Sequence, residues 1–254
     1  MSVLATHELT VRFGGHVAVN AVTCSFEPGT LTAIVGPNGA GKTTYFNLIS
    51  GQIPPSSGRI SLDGVDLTGM PASKRTLAGL GRAFQLTNLF PNLSVLENVR
   101  LAVQATRAGA HRRGLNLWSI WSDHQALIDR ALEILHTVSL QNKQQTTVTS
   151  LPHGDQRKLE VALLMALESK VFMFDEPTAG MSSAEAPVIL NLIRELKKDK
   201  SKTILLVEHK MDVVRDLADR IIVLHNGSLV ADGEPADVIA SPIVQEAYLG
   251  VVPA

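Results

Sequence analysis

Two hydrophobic periods share this chain. In the first hundred residues apolar side chains alternate with polar ones or gather in short β-branched runs, as in Val11 to Phe13, Val17 to Phe26 and "TLTAIV" from Thr30 to Val35. Alternation predicts half-buried strands, and the compact run predicts a strand covered on both faces. The segment "GRISLDGVDL" sets Asp63-Gly64 between two apolar stretches, which predicts a hairpin turn. From about Asn98 to Val148 the period lengthens, and Ile128, Ala131, Leu132 and Leu135 share one helical face. "RAGAHRRGLNLWSIWSD" reads as a surface excursion. Trp118 and Trp121 fit one helical face packed beneath it, and His111, Arg112 and Arg113 read as a solvated loop or a contact for an acidic partner. After "LPHGD", the residues Leu159, Ala162, Leu163, Ala166 and Leu167 form the stripe of a helix beginning near Gln156. "VFMFDE" predicts a buried strand ending in acid. Ile189, Leu192, Ile193 and Leu196 mark another helix, "TILLVEH" a strand, and a short helix runs through Asp216. "RIIVLHNGSLVADG" carries an Asn226-Gly227 turn. Strands alternating with helices, with hairpins added, predict the α/β class.

With 45% hydrophobic and 19% charged residues in 254, the chain can bury a large core in one domain or two closely joined lobes. A formal charge of −1 argues against a broad nucleic-acid surface, which needs a basic excess. The only cysteine, Cys24, cannot form an internal disulfide, and its place in "AVTCSFE" marks a strand position rather than a reactive thiol. The start "MSVLATHELTVRF" lacks the basic opening and continuous apolar core of a signal peptide. No stretch approaches the roughly 18 to 20 apolar residues that span a bilayer. A cytosolic protein that reaches any membrane through a partner is the expectation.

The chemistry begins where "TLTAIV" ends. "GPNGAGKT", Gly36 to Thr43, satisfies G-x-x-x-x-G-K-[ST] at every fixed position and follows the predicted buried strand. Its glycines permit a tight loop with amides turned toward phosphates, and the positive end of the following helix adds to that field. Lys42 is placed to neutralise β- and γ-phosphate oxygens, and the Thr43 hydroxyl to ligate magnesium. "VFMFDEP", Val171 to Pro177, supplies the second half. Its strand delivers Asp175 beside the phosphate loop to hold magnesium through water, with Glu176 aimed at the water that attacks the γ-phosphate.

With these motifs in this order, the chain resembles the nucleotide-binding subunits of ATP-binding cassette (ABC) transporters over nearly its whole length. The resemblance implies one ABC ATPase domain, 1–254, with a P-loop NTPase core and antiparallel β subdomain at about 1–84 and 170–254, and a helical signature subdomain at about 85–169. It implies ATP and Mg2+ as cofactors, with ATP held by Gly36, Pro37, Asn38, Gly39, Ala40, Gly41, Lys42, Thr43 and Thr44. Phe13 in "VRFGGHVAV" matches the aromatic on which adenine stacks, although an aromatic at a strand end also serves as packing. Gln85 in "GRAFQLTNLF" matches the glutamine that senses magnesium and the γ-phosphate, on the loop that couples to the membrane domain. His209 in "LLVEHKMD" matches the switch histidine on the γ-phosphate, and "AGMSS", Ala179 to Ser183, the loop that crosses to a partner subunit. Implied partners are a second cassette, a paralogue or itself, integral permease subunits and, indirectly, a solute-binding protein. The implied location is peripheral, on the cytoplasmic face of the inner membrane. "LGRAFQLTNLFPNLSVLENV", "DEPTAGMS", "VEHKMDVV" and "VQEAYLG" further resemble importers of branched-chain amino acids and related solutes, including urea.

One motif departs from the family. Where it reads L-S-G-G-Q, this chain has Leu151, Pro152, His153, Gly154 and Asp155. That loop grips the γ-phosphate of ATP held by the opposite subunit. Proline removes both the serine hydroxyl and the backbone N–H at its position, while its fixed φ preorganises a helix start. Asp155 either sets a negative charge near a polyphosphate or points away and favours the helix N-terminus. Two other classes compete with the transporter reading. A soluble cassette acting on ribosomes or DNA usually carries twin cassettes or long coiled-coil inserts, and this chain has neither. A small-molecule phosphotransferase on the same phosphate loop leaves Gln85, the signature position and His209 unexplained.

Overall fold

A computed structural model of the chain describes residues 3–83, 89–110, 119–183, 185–242 and 244–245. The chain divides into two compact units, the first made of Met1–Arg82, Lys170–Glu176 and Arg194–Ala254, the second of Ala83–Ser169 and Pro177–Ile193.

In the first unit, β1 (Leu4–Phe13) and β2 (His16–Phe26) form a long antiparallel pair, and β4 (Ser57–Leu62) and β5 (Val65–Asp66) complete a four-stranded sheet in the order β2-β1-β4-β5. The second sheet orders its strands β10-β9-β3-β8-β7-β6, with β3 Leu31–Val35, β6 Leu80–Ala83, β7 Val171–Asp175, β8 Thr203–Val207, β9 Arg220–His225 and β10 Ser228–Gly233. Here β3 runs parallel to both β8 and β9, and β7 parallel to β8. Every residue of β3, β7 and β8 is buried, as expected of parallel strands covered on both faces.

Period-2 alternation assigns each side chain to one of two cores. Ile34 of β3 and Ile222 and Leu224 of β9 join Tyr45, Phe46, Leu48 and Ile49 of α1 (Lys42–Ser50) and the inner face of the antiparallel sheet. Their neighbours Ala33, Val35, Ile221 and Val223 join Val214 of α7 (Met211–Leu217) and Val238 of α8 (Pro235–Ala240). The hairpin turns fall where the pattern predicts, with Asp63 and Asn226 at positive φ. Cys24 is buried in β2, and burial pushes its thiol up to about 11, against the pull of Arg220. Its thiol therefore stays protonated at neutral pH.

A fully buried guanidinium braces this unit. Arg75 of α2 (Ala72–Leu77) donates from Nη1 to the carbonyls of Leu48 and Ile49 at 2.6 and 2.7 Å, from Nε to Met70 at 2.9 Å and from Nη2 to Thr68 at 2.9 Å. Helix α1 has no basic residue in its own last turn, so Arg75 supplies the cation that its carbonyl end favours.

The second unit holds α3 (Val95–Ala110), α4 (Ser119–Thr137) and α5 (His153–Ala166). The buried residues of α4 are Leu127, Ala131, Ile134 and Leu135, which include Ala131 and Leu135 of the expected stripe. Ile128 and Leu132 are only half-buried, because Leu127 and Ile134 complete a wider face of the same period. The predicted excursion is shorter than expected, since α3 and α4 take up both of its ends. His111, Arg112, Arg113 and Trp118 lie outside the described residues. Helix α6 (Ala186–Lys197) buries Ile189, Leu192 and Ile193. Among the described residues no helix is long and apolar enough to cross a membrane.

Candidate functional site

Parallel pairing brings the carboxyl ends of β3, β8 and β7 side by side, and each ends in chemistry. The phosphate loop follows β3, His209 follows β8 and Glu176 follows β7. Such a row of strand ends is where open α/β sheets take their ligands.

The loop owes its shape to close backbone approaches. A Cβ on Gly36 would lie 2.1 Å from the Leu224 carbonyl oxygen, and one on Gly41 2.5 Å from that of Ala18. Gly41 is the N-cap of α1 at φ 96 and makes no side-chain cap bond, while its carbonyl accepts from the Tyr45 amide at 2.8 Å. The first amides of α1 are therefore left to face a ligand. Lys42 is 6% exposed and folds back over the loop, donating to the carbonyls of Gly36 and Pro37 at 2.7 and 2.9 Å. Burial pulls the Lys42 ammonium down, and the carboxylates of Glu176 and Asp175 oppose this.

Phe13, His16, Ala18, Asn38 to Thr44, Glu176 and His209 line one cleft of 410 Å³, within the usual range for small-molecule sites. Phe13 ends β1 at one margin with its ring 52% exposed. Glu176 sits in the left-handed region at φ 50, an uncommon conformation for this residue type. Its amide donates to the Val207 carbonyl at 2.9 Å. Its Oε1 lies 2.7 Å from His209 Nε2, and both side chains are open to the cleft. A larger groove of 700 Å³, lined by His7, Glu8, Arg59 and Asp66, lies on the β1–β4 sheet away from the phosphate loop. It brings together no such constellation.

Asp175 lies beneath this surface. Its side chain is 5% exposed, and its Oδ2 accepts from Arg82 Nη2 at 2.7 Å. Burial pushes the Asp175 carboxyl up, with Arg82 pulling it back and Glu176 adding to the rise. Arg82 was not among the sequence candidates. The available signal was an arginine inside the short apolar strand of "LAGLGRAF", since a charge in such a strand needs a buried partner. Gln85, assigned to magnesium and the γ-phosphate, lies outside the described residues.

In the second unit, the signature helix α5 starts at His153 rather than near Gln156. Pro152 is its N-cap at φ −56 and ψ 152, and the Pro152 carbonyl accepts from the amides of both Asp155 and Gln156 at 3.0 and 3.1 Å. No side chain caps this end, so the His153 and Gly154 amides keep the helix's anion-binding character. Leu151 is buried, Pro152 and His153 are exposed, and a Cβ on Gly154 would meet Glu185 Oε1 at 3.0 Å. Asp155 pairs with Lys143 and, at 2.9 Å, with Lys158. Burial raises its carboxyl, but the two lysines outweigh this and hold it below its ordinary value. Its charge is thereby balanced within the unit. In the loop Ala179 to Ser183, Ser182 Oγ donates to Glu185 Oε2 at 2.8 Å and the Ser182 amide donates to the same oxygen at 3.2 Å, so the Glu185 carboxylate closes the turn ahead of α6.

A family model described as "ABC transporter" matches residues 19–179. The chain belongs to the ABC transporter family. The cassette is 37% identical over 248 residues to the high-affinity branched-chain amino acid transport ATP-binding protein LivG of Escherichia coli (strain K12), covering 97% of each chain. It is 36% identical over 250 residues to the corresponding BraF protein of Pseudomonas aeruginosa, covering 98% of each. Among solved structures it is similar to the ADP conformation of an ATP-binding cassette of an ABC transporter, at TM-score 0.81 and 28% identity over 99% of this chain and 100% of that one. It is also similar to a dimeric post-hydrolysis cassette bound to ADP and Pi, at TM-score 0.76 and 25% identity over 91% and 98%.

Proposed function

We propose that this cassette is the ATP-hydrolysing subunit of a membrane importer for branched-chain amino acids or a related small solute such as urea. The observation that carries the catalytic reading is the 2.7 Å contact between Glu176 and His209 at the phosphate-loop cleft. With the triphosphate on the loop amides and Lys42, Glu176 accepts a proton from the attacking water. The single Nε2 hydrogen of His209 orients Glu176 until the triphosphate is bound and is then given to the γ-phosphate, and Lys42 balances charge as it moves to the leaving oxygen. Phe13 offers its exposed ring to the adenine.

The residues also fit magnesium. Among the described residues no three of His, Cys, Asp and Glu gather to hold a metal alone. A threonine hydroxyl and one carboxylate, Thr43 and Asp175, suit a hard cation that takes its other ligands from nucleotide phosphates and water. Gln85 is assigned with them. Bound there, Mg2+ would neutralise the β- and γ-phosphate oxygens.

The solute class rests on the names of the LivG and BraF relatives, and a second cassette as partner on the dimeric neighbour. Permease subunits, a solute-binding protein and the cytoplasmic face of the inner membrane follow from the importer reading. Glu176→Gln should keep ATP affinity within about threefold and lose roughly a hundredfold or more in turnover. Proteoliposomes holding the cassettes and their permease should take up labelled leucine with ATP, and stop with this variant. Near-normal turnover rejects the base assignment, and ATPase stimulated by another solute class redirects the import reading.

A further inference from the structure

Arg82 touches more than Asp175. From its place on β6, 7% exposed, its Nη1 donates to Asn47 Oδ1 at 2.7 Å, Ser50 Oγ at 2.9 Å and Gln52 Oε1 at 3.2 Å. Its Cζ stands 5.5 Å over the Phe46 ring. Asn47 and Ser50 belong to the last turns of α1, whose first turn carries Lys42 and Thr43. One planar group thus joins the carboxylate at the end of β7 to the far end of the helix that begins at the phosphate loop. We propose that Arg82 is a positioning residue for the nucleotide site, holding Asp175 in register with α1 so that Asp175 and Thr43 meet the same magnesium ion.

Three features support this over a simple counter-charge. Arg82 engages only Oδ2 of Asp175, so Oδ1 is not used by this pair. Its other contacts go to neutral side chains of α1 and the residue just past it, so they orient the guanidinium and add no charge. A rigid fork can join several acceptors at set angles where a lysine ammonium acts as a point. Partners of this kind around a metal-binding carboxylate commonly control metal affinity by about 10- to 100-fold.

The inference rests on the ATPase reading, and its test separates the two. Arg82→Met and Arg82→Lys are compared with wild type by TNP-ATP binding in EDTA and by the Mg2+ concentration that gives half-maximal tightening of that binding. Both variants should bind magnesium-free nucleotide within about twofold of wild type, and both should need about tenfold more Mg2+. Asn47→Ala, which touches Arg82 and not Asp175, should shift the Mg2+ requirement in the same direction. An unchanged requirement in folded Arg82→Met, or a lower one as removal of a mere counter-charge gives, overturns the proposal. If Arg82→Met does not fold, Asn47→Ala decides: an unchanged Mg2+ requirement there overturns it. Failure of wild type to hydrolyse ATP would instead strike the ATPase reading alone.

Discussion

Two helix starts in this cassette are assigned the same kind of ligand by the sequence motifs and are built differently. Helix α1 opens from Gly41 in a left-handed conformation, with Lys42 folded over the loop and no acid in its first turn. Helix α5 opens from Pro152 in an extended conformation, with Asp155 in its first turn held by Lys143 and Lys158. Neither has a side-chain cap, so neither helix spends a side chain on its first amides. Both ends therefore keep their donors for something else. At α1 the positive field is concentrated by a lysine and a ring of amides. At α5 it is trimmed by a residue with no amide hydrogen, beside a carboxylate already neutralised. The first therefore offers more donors and more positive charge to an anion than the second.

The largest break in this comparison comes from the first helix start. Gly41→Ala would force a Cβ against the Ala18 carbonyl at a φ that L-residues avoid, a strain of about 1–3 kcal/mol. It should lower the melting temperature by several degrees and weaken nucleotide binding at least tenfold, read by calorimetry and TNP-ATP titration. Wild-type affinity in that variant would show the loop to be more pliant than its packing implies.

Pro152→Ser should make the second helix start resemble a strong cap. Restoring a hydroxyl and an amide hydrogen opposite a partner's γ-phosphate is worth about 1.5–3 kcal/mol if the bond forms in the closed state. The assembled complex should then hydrolyse ATP roughly tenfold faster. In a heterodimer, only the site facing Pro152 should respond. Unchanged or lower turnover with intact assembly would mean that the Gly154 amide and the helix end already suffice.

The smallest effect belongs to Asp155→Asn. Its carboxyl has a lowered value in the folded state, so its stabilising contribution is complete above its ordinary pKa and is lost as pH falls through the lowered one. The variant should be less stable than wild type at pH 7 by at most about 1 kcal/mol, since these are partly exposed pairs. Thermal melts from pH 7 to pH 3 should show the gap closing. A gap that widens on acidification would mean that the carboxylate does its work by some other contact.

The phosphate loop was legible because its chemistry is local: eight consecutive residues set the glycines, lysine and threonine at fixed offsets after a buried strand. The hairpins at Asp63-Gly64 and Asn226-Gly227 were legible for the same reason, since each turn needs two neighbouring residues at positive φ. Helix faces were legible in period and less so in phase. On α4 the stripe held at Ala131 and Leu135, while Ile128 and Leu132 are only half-buried, because the packing partners α3 and α5 select which apolar residues turn inward. Pro152 was visible as an anomaly, but its placement as N-cap and the two lysines on Asp155 required the fold.

What the sequence by itself determined are the elements and the chemical inventory, because backbone preferences and motif spacing act over a few residues. Only the tertiary structure decided which groups meet. Glu176 reaches His209 across 33 residues and Arg82 reaches Asp175 across 93. Those meetings follow from the order in which β3, β8, β7 and β6 lie side by side in one sheet, and strand order is settled by burying both faces of the sheet rather than by any local preference of the chain.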